Sequence, residues 1–202
     1  PDGSPNWRAR TLIDLAAARQ MIWDNTPIPY DAENHQYREW AVKGFAEAEA
    51  RAEQVKDFVG HFYTLAAYIN GFHDPHFDVN LVGEPPPGRW PGFIVSQRGG
   101  AAEVVYRDAD GPPLGVKVLQ CEGKTISDLV AERVYPFRFN AGLASERGQA
   151  VTRLFLDRGN PFAPAPATCR VEHEGRTFDV TLGWRNAPPT DDPWWEKYSE
   201  AG

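Results

Sequence analysis

The apolar repeat of this chain first changes period within residues 68–79, and that change sets its fold class. Upstream, apolar residues recur at helical spacing. Leu12, Leu15, Ala16, Ile22 and Trp23 fall on one helical face, with Asp14 in the first turn. Asn25-Thr26-Pro27-Ile28-Pro29 ends that helix, because neither proline can donate a backbone hydrogen bond and each restricts the residue before it. A second helix begins near Asn34, with Tyr37, Trp40, Ala41, Phe45, Ala48, Ala52 and Val55 as its apolar stripe. Asp57 is placed to cap a third, in which Phe58, Phe62, Leu65 and Ile69 repeat, and Gly71 reads as a left-handed stop. From His76 the period becomes two: Phe77, Val79 and Leu81 face one way, His76, Asp78 and Asn80 the other. Helices followed by strands predict an α+β fold, with residues 1–82 as a helical domain ending in a strand.

The second half supports that division. Pro85-Pro86-Pro87 makes residues 83–92 a semi-rigid linker. Residues 93–186 read as a β-rich domain. Phe93–Val95, Glu103–Tyr106 and Val116–Leu119 are strand candidates, and Glu122-Gly123-Lys124 is a tight turn. A helix then starts at Thr125 or Ser127, and residues 145–156 form another. Thr168–Glu172 and Thr177–Leu182 flank Glu174-Gly175 as a hairpin. Residues 187–202 form a polar, proline-rich, aromatic tail.

Composition narrows the function. A net charge of −7 leaves no basic stripe to neutralise phosphates, which argues against a nucleic-acid partner. No apolar run is long enough to span a membrane, and the N-terminus lacks a basic-then-apolar export signal. Cys121 and Cys169 both sit in strand-like contexts, as a disulfide or as two buried thiols.

The chemistry concentrates in His73-Asp74-Pro75-His76-Phe77-Asp78, where titratable groups crowd a helix-to-strand junction. Imidazole and carboxylate suit zinc or iron, but Pro75 breaks the spacing and no second histidine cluster completes a shell, so no metal is assigned. No cofactor motif is complete either. Glu122-Gly123-Lys124-Thr125 imitates the end of a phosphate loop, yet Val118 stands where its first glycine would be. Five serines are present, none on a glycine-flanked turn of the kind a nucleophile needs.

The order of segments carries a resemblance. An aromatic helix leads into LAAYINGFHDPHFDV, followed by PLGVKVLQCEGKTISDLV, FNAGLASERGQAVTRLFL and a hairpin ending RTFDVTLGW. Over roughly residues 36–186 this resembles the N-terminal region of the tail-specific, or C-terminal-processing, serine peptidases, including the tricorn-like subgroup. Asp74-Pro75-His76 matches the family's D-G-H-like motif, with Pro75 in place of glycine. Gly115–Leu129 matches a phrase of its PDZ-like module, with Cys121-Glu122 replacing the usual apolar residue and asparagine before Gly123.

The resemblance implies a helical domain followed by a PDZ-like, degenerate β-rich domain, with Gly99-Gly100-Ala101-Ala102 at most a loose substitute for a carboxylate-binding loop. His76 would relay a proton to a serine supplied by a catalytic core, as in tricorn-like members; in Ser-Lys members the same histidine would not be catalytic. The chain stops where the resemblance places that core, and its nucleophile has no match here. The implied role is a non-catalytic front portion of a serine endopeptidase that positions or gates polypeptide substrate. Its partners would be that polypeptide and the core of the same parent protein, in the periplasm or outside the cell. The rival expectation is a stand-alone peptide- or glycan-binding module using Trp90 and the aromatics of residues 184–198.

Overall fold

The structure is a computed structural model and describes residues 5–74, 76–80, 88–188 and 193–201. The chain forms two compact units, Pro1–Glu84 and Pro85–Gly202. With helices gathered in the first and a mostly antiparallel sheet in the second, the fold is α+β.

The first unit packs three helices: α1 (Trp7–Asn25), α2 (His35–Ala52) and α3 (Phe58–Asn70). Each start has a local cause where a side chain takes up an orphan amide. Asn6 accepts from the Ala9 amide at 3.0 Å, and Asp57 accepts from the Gly60 amide at 2.9 Å. The core holds Leu15, Ile22, Ala41, Ala48, Ala52, Tyr68 and Phe72. Alanines on the buried face of α2 let the aromatic side chains of α3 approach closely.

Two sequence expectations fail at the end of α3. Gly71 is not left-handed (φ −69°), and the positive φ falls instead on His73, at 54°. Residues 76–80 form no strand despite their alternation: among the described residues, none pairs with them in a ladder. Leu81, the last residue of that alternation, lies outside the described residues, as do residue 82 and residues 83–87 of the expected linker.

The second unit begins with β1 (Arg89–Trp90), then β2 (Phe93–Arg98), β3 (Ala101–Arg107), β4 (Lys117–Cys121) and β5 (Lys124–Thr125). It continues with α4 (Ile126–Arg133), α5 (Ala144–Leu154), β6 (Thr168–His173), β7 (Arg176–Thr181), β8 (Arg185–Asn186) and α6 (Pro193–Ala201). The main sheet runs β2-β3-β4-β6-β7, with β5 on β4, while β1 and β8 pair separately. Strand alternation sets the two faces: Val118, Val171 and Phe178 share a register on one, and Lys117, Glu172 and Thr177 on the other. The inner face packs α4 and α5 through Leu129, Val130, Val151 and Leu154.

Three tight turns use two successive positive-φ residues, the geometry that matches strand twist: Gly99-Gly100, Glu122-Gly123 and Glu174-Gly175. Gly99-Gly100 is therefore the tip of the β2–β3 hairpin, and Ala101 and Ala102 begin β3. Cys121 and Cys169 stand directly opposite each other on β4 and β6 and form a disulfide, resolving the alternative that the sequence left open. Trp90, expected as an exposed ligand platform, is 1% exposed and packs with Ile94 and Leu156. Trp184 is half-buried and donates its indole N–H to Pro166 O at 2.7 Å. The proline-rich, aromatic tail contains α6, whose Tyr198 packs on the Trp90 cluster.

Candidate functional site

The turn after α3 is built on Trp40. Its indole N–H donates to Tyr68 O at 2.9 Å, tying α2 to the last turn of α3. The ring lies against two glycines. A Cβ on Gly44 would sit 2.4 Å from Trp40, and one on Gly71 would sit 2.0 Å from it. Glycine at 71 thus serves a close approach rather than an unusual backbone angle. Tyr68, Phe72 and Phe77 form an edge-to-face series, with ring centroids 5.5 Å and 5.3 Å apart. Phe72 is buried, so the side chains at both ends of the 73–76 segment are anchored to the helical core.

Within that frame the chain reverses. The Phe77 amide donates to Asp74 O at 3.0 Å, the closing bond of a tight turn whose first position aspartate favours. His73 takes the left-handed conformation that lets the chain leave the helix, a region histidine enters more readily than most residues. Pro75 itself lies outside the described residues.

Asp74 Oδ1 receives two hydrogen bonds from the same residue: the backbone amide of His76 at 2.9 Å and its ring Nδ1 at 2.8 Å. The His76 amide, more than any other group, holds the Asp74 carboxyl below its ordinary value, and the ring bond adds to this against a cost of burial. The His76 side chain is 88% exposed. A carboxylate on one ring nitrogen and solvent around the rest of the ring leave the imidazole open to a reacting group. Asp78, also in the candidate segment, caps only the amide of Val79, at 2.8 Å. Thus Asp74 and His76 come together, and Asp78 stays apart. Among the described residues, no three His, Cys, Asp or Glu side chains gather into a metal shell.

A second histidine was not singled out by sequence. His61 of α3 is buried beneath α1, with Nδ1 3.0 Å from Thr11 Oγ1 and Nε2 3.5 Å from Asp14 Oδ2. Trp7 and Phe58 lie against its ring. Burial pushes the imidazole down from its ordinary value, with Asp14 opposing and Arg10 assisting. The available signal was a polar residue four positions before Leu65, on the apolar side of α3.

No protein-family model matches the sequence, and no curated protein does. Among solved structures the chain is similar to mature CPAF complexed with lactacystin, with a TM-score of 0.65 at 18% identity over 91% of this chain and 36% of that one. It is similar to mature CPAF alone with a TM-score of 0.63 at 17% identity and the same coverage. CPAF is a chlamydial serine protease of the tail-specific-protease-like kind. At this identity the likeness is one of fold: the chain has a C-terminal-processing-protease-like fold and spans about a third of the length of those solved chains.

Proposed function

We propose that this chain is part of a serine-type endopeptidase, supplies the proton-transfer histidine, and guides polypeptide to a catalytic core outside the chain. The observation that carries this reading is the Asp74–His76 turn: an exposed imidazole with one nitrogen held by a carboxylate, in a chain with a protease-like fold. The reaction type is the histidine-dependent one that the tricorn-like resemblance implies. His76 would take the proton from a serine hydroxyl as its oxygen attacks the peptide carbonyl, then return it to the departing amine. The β-rich unit is read as a degenerate PDZ-like module, on the strength of its antiparallel sheet with α5 packed on it. Burial of Trp90 weighs against the glycan-binding alternative.

The disulfide supports a periplasmic or extracellular location, since such bonds persist in oxidising compartments. Pairing across a sequence separation of 48 stabilises the fold by about 4 kcal/mol on loop-entropy grounds. Thiol trapping of the protein from its native cells should find both cysteines unreactive until reductant is added. Free thiols there would place it in a reducing compartment instead.

The deciding experiment compares the complete natural polypeptide with its His76→Ala variant on a fluorogenic protein substrate. A loss of kcat of about 10²–10⁴-fold, with the fold intact by circular dichroism, is expected for removal of a general base. Undiminished turnover by the variant would show that the reaction does not pass through this histidine. The 202-residue chain alone should show no turnover.

A further inference from the structure

We propose that Asp74 is the positioning residue for His76, fixing the ring tautomer so that Nε2 is the atom that accepts the proton. This inference rests on the proposed role of His76. A carboxylate held in its ionised form only accepts hydrogen bonds, so at 2.8 Å the ring nitrogen facing Asp74 must carry the hydrogen. The neutral imidazole is then the Nδ1–H tautomer, with the Nε2 lone pair unprotonated. When Nε2 takes a hydroxyl proton, the ring becomes a cation and Asp74 stabilises it at 2.8 Å. The proton moves from oxygen to Nε2, and no other bond to the ring changes.

One comparison within the molecule separates this from an ordinary exposed histidine–carboxylate pair. The exposed His35–Glu39 pair on α2 has its nearest atoms 3.8 Å apart, too far for a hydrogen bond. At the turn, one oxygen of Asp74 fixes both the backbone and the ring of a residue two positions on, so the orientation is set locally.

The test has a spectroscopic arm and a kinetic arm. In the ¹⁵N-histidine-labelled 202-residue chain, long-range ¹H–¹⁵N spectra above neutral pH should show Nδ1 of His76 protonated. The signal is assigned by its loss in His76→Gln. Asp74→Ala should move the ring towards the Nε2–H form that a free histidine side chain prefers. Asp74→Asn keeps an acceptor oxygen, and should retain much of the wild-type tautomer while removing the charge. In the complete polypeptide, Asp74→Ala should lower kcat about 10²-fold or more with little change in KM, and Asp74→Asn should fall between it and wild type. An unchanged tautomer in Asp74→Ala would overturn the inference whatever the activity. A shifted tautomer with undiminished kcat would also overturn it, while loss of activity in His76→Ala would leave the proposed function standing. Full activity in His76→Ala would remove both.

Discussion

Among the described residues, the helical unit holds the histidine–aspartate pairs His61–Asp14 and His76–Asp74, and their surroundings differ in almost every respect. His61 is 9% exposed and has both ring nitrogens turned towards α1, Nδ1 to Thr11 and Nε2 to Asp14. His76 lies in a surface turn, held through one nitrogen by Asp74. The first pair joins residues 47 positions apart and binds two helices; the second joins residues two apart and binds nothing but its own turn. A buried imidazole with both edges engaged has no room for a substrate atom. An exposed imidazole with one edge fixed has both access and a defined orientation. Histidine near aspartate is therefore no sign of chemistry by itself; the open nitrogen is.

The largest expected effect comes from breaking the platform under His76 while leaving His61 alone. Gly71→Ala places a methyl group 2.0 Å from the Trp40 ring as it stands, so the indole or the end of α3 must move. We expect a loss of about 1–3 kcal/mol in urea unfolding, as for overpacking generally. The Gly71 backbone angle is ordinary for alanine, and alanine is the better helix former. The same change in a Trp40→Ala background should therefore cost little or be mildly stabilising. An equal penalty in both backgrounds would mean that Trp40 is not what excludes a side chain at 71.

A smaller effect follows from the sealed site. Thr11 donates its hydroxyl hydrogen to Trp7 O at 2.7 Å, leaving its oxygen to accept from His61 Nδ1. Thr11→Val keeps the shape and leaves that ring N–H without an acceptor, which should cost about 1–2 kcal/mol. Thr11→Val combined with His61→Leu removes both polar partners and should recover most of the loss. A double variant as unstable as the sum of its parts would show that the two residues do not act through each other.

These contrasts also mark what the sequence could reveal. The three helices were legible because their apolar residues keep a single face and Asp57 caps the third. The hairpins were legible because Glu122-Gly123 and Glu174-Gly175 supply the required backbone angles. The Asp74–His76 pair could be found because its members are local. Three features depended on distant packing. Gly71 looked like a stop signal, but its reason is Trp40, 31 residues upstream. The alternation of residues 76–80 looked like a strand, but a strand also needs a neighbour to receive its hydrogen bonds. Thr11 and His61 were hidden because each looks like a minor polar interruption of an apolar face until α1 and α3 are brought together.

The smallest effect separates the two pairs by pH. Burial lowers the His61 imidazole from its ordinary value of 6.5, so just below that pH the unfolded chain binds a proton that the folded chain resists. Stability should rise with pH through this window and level off above 6.5; on acidification it is lost as pH falls through the folded value. His61→Leu should flatten that slope. Asp74 works in a lower window. Its carboxyl is held below 3.8, so its contribution is complete above that value and is lost as pH falls through the depressed one. Urea midpoints for wild type and His61→Leu at half-unit steps from pH 7.5 to 5 would test the first statement, and midpoints for wild type and Asp74→Asn from pH 5 down through 3.8 would test the second. Parallel curves for wild type and His61→Leu would mean that the folded chain does not resist protonation of His61, and the contrast between a sealed and an open histidine would lose its energetic basis.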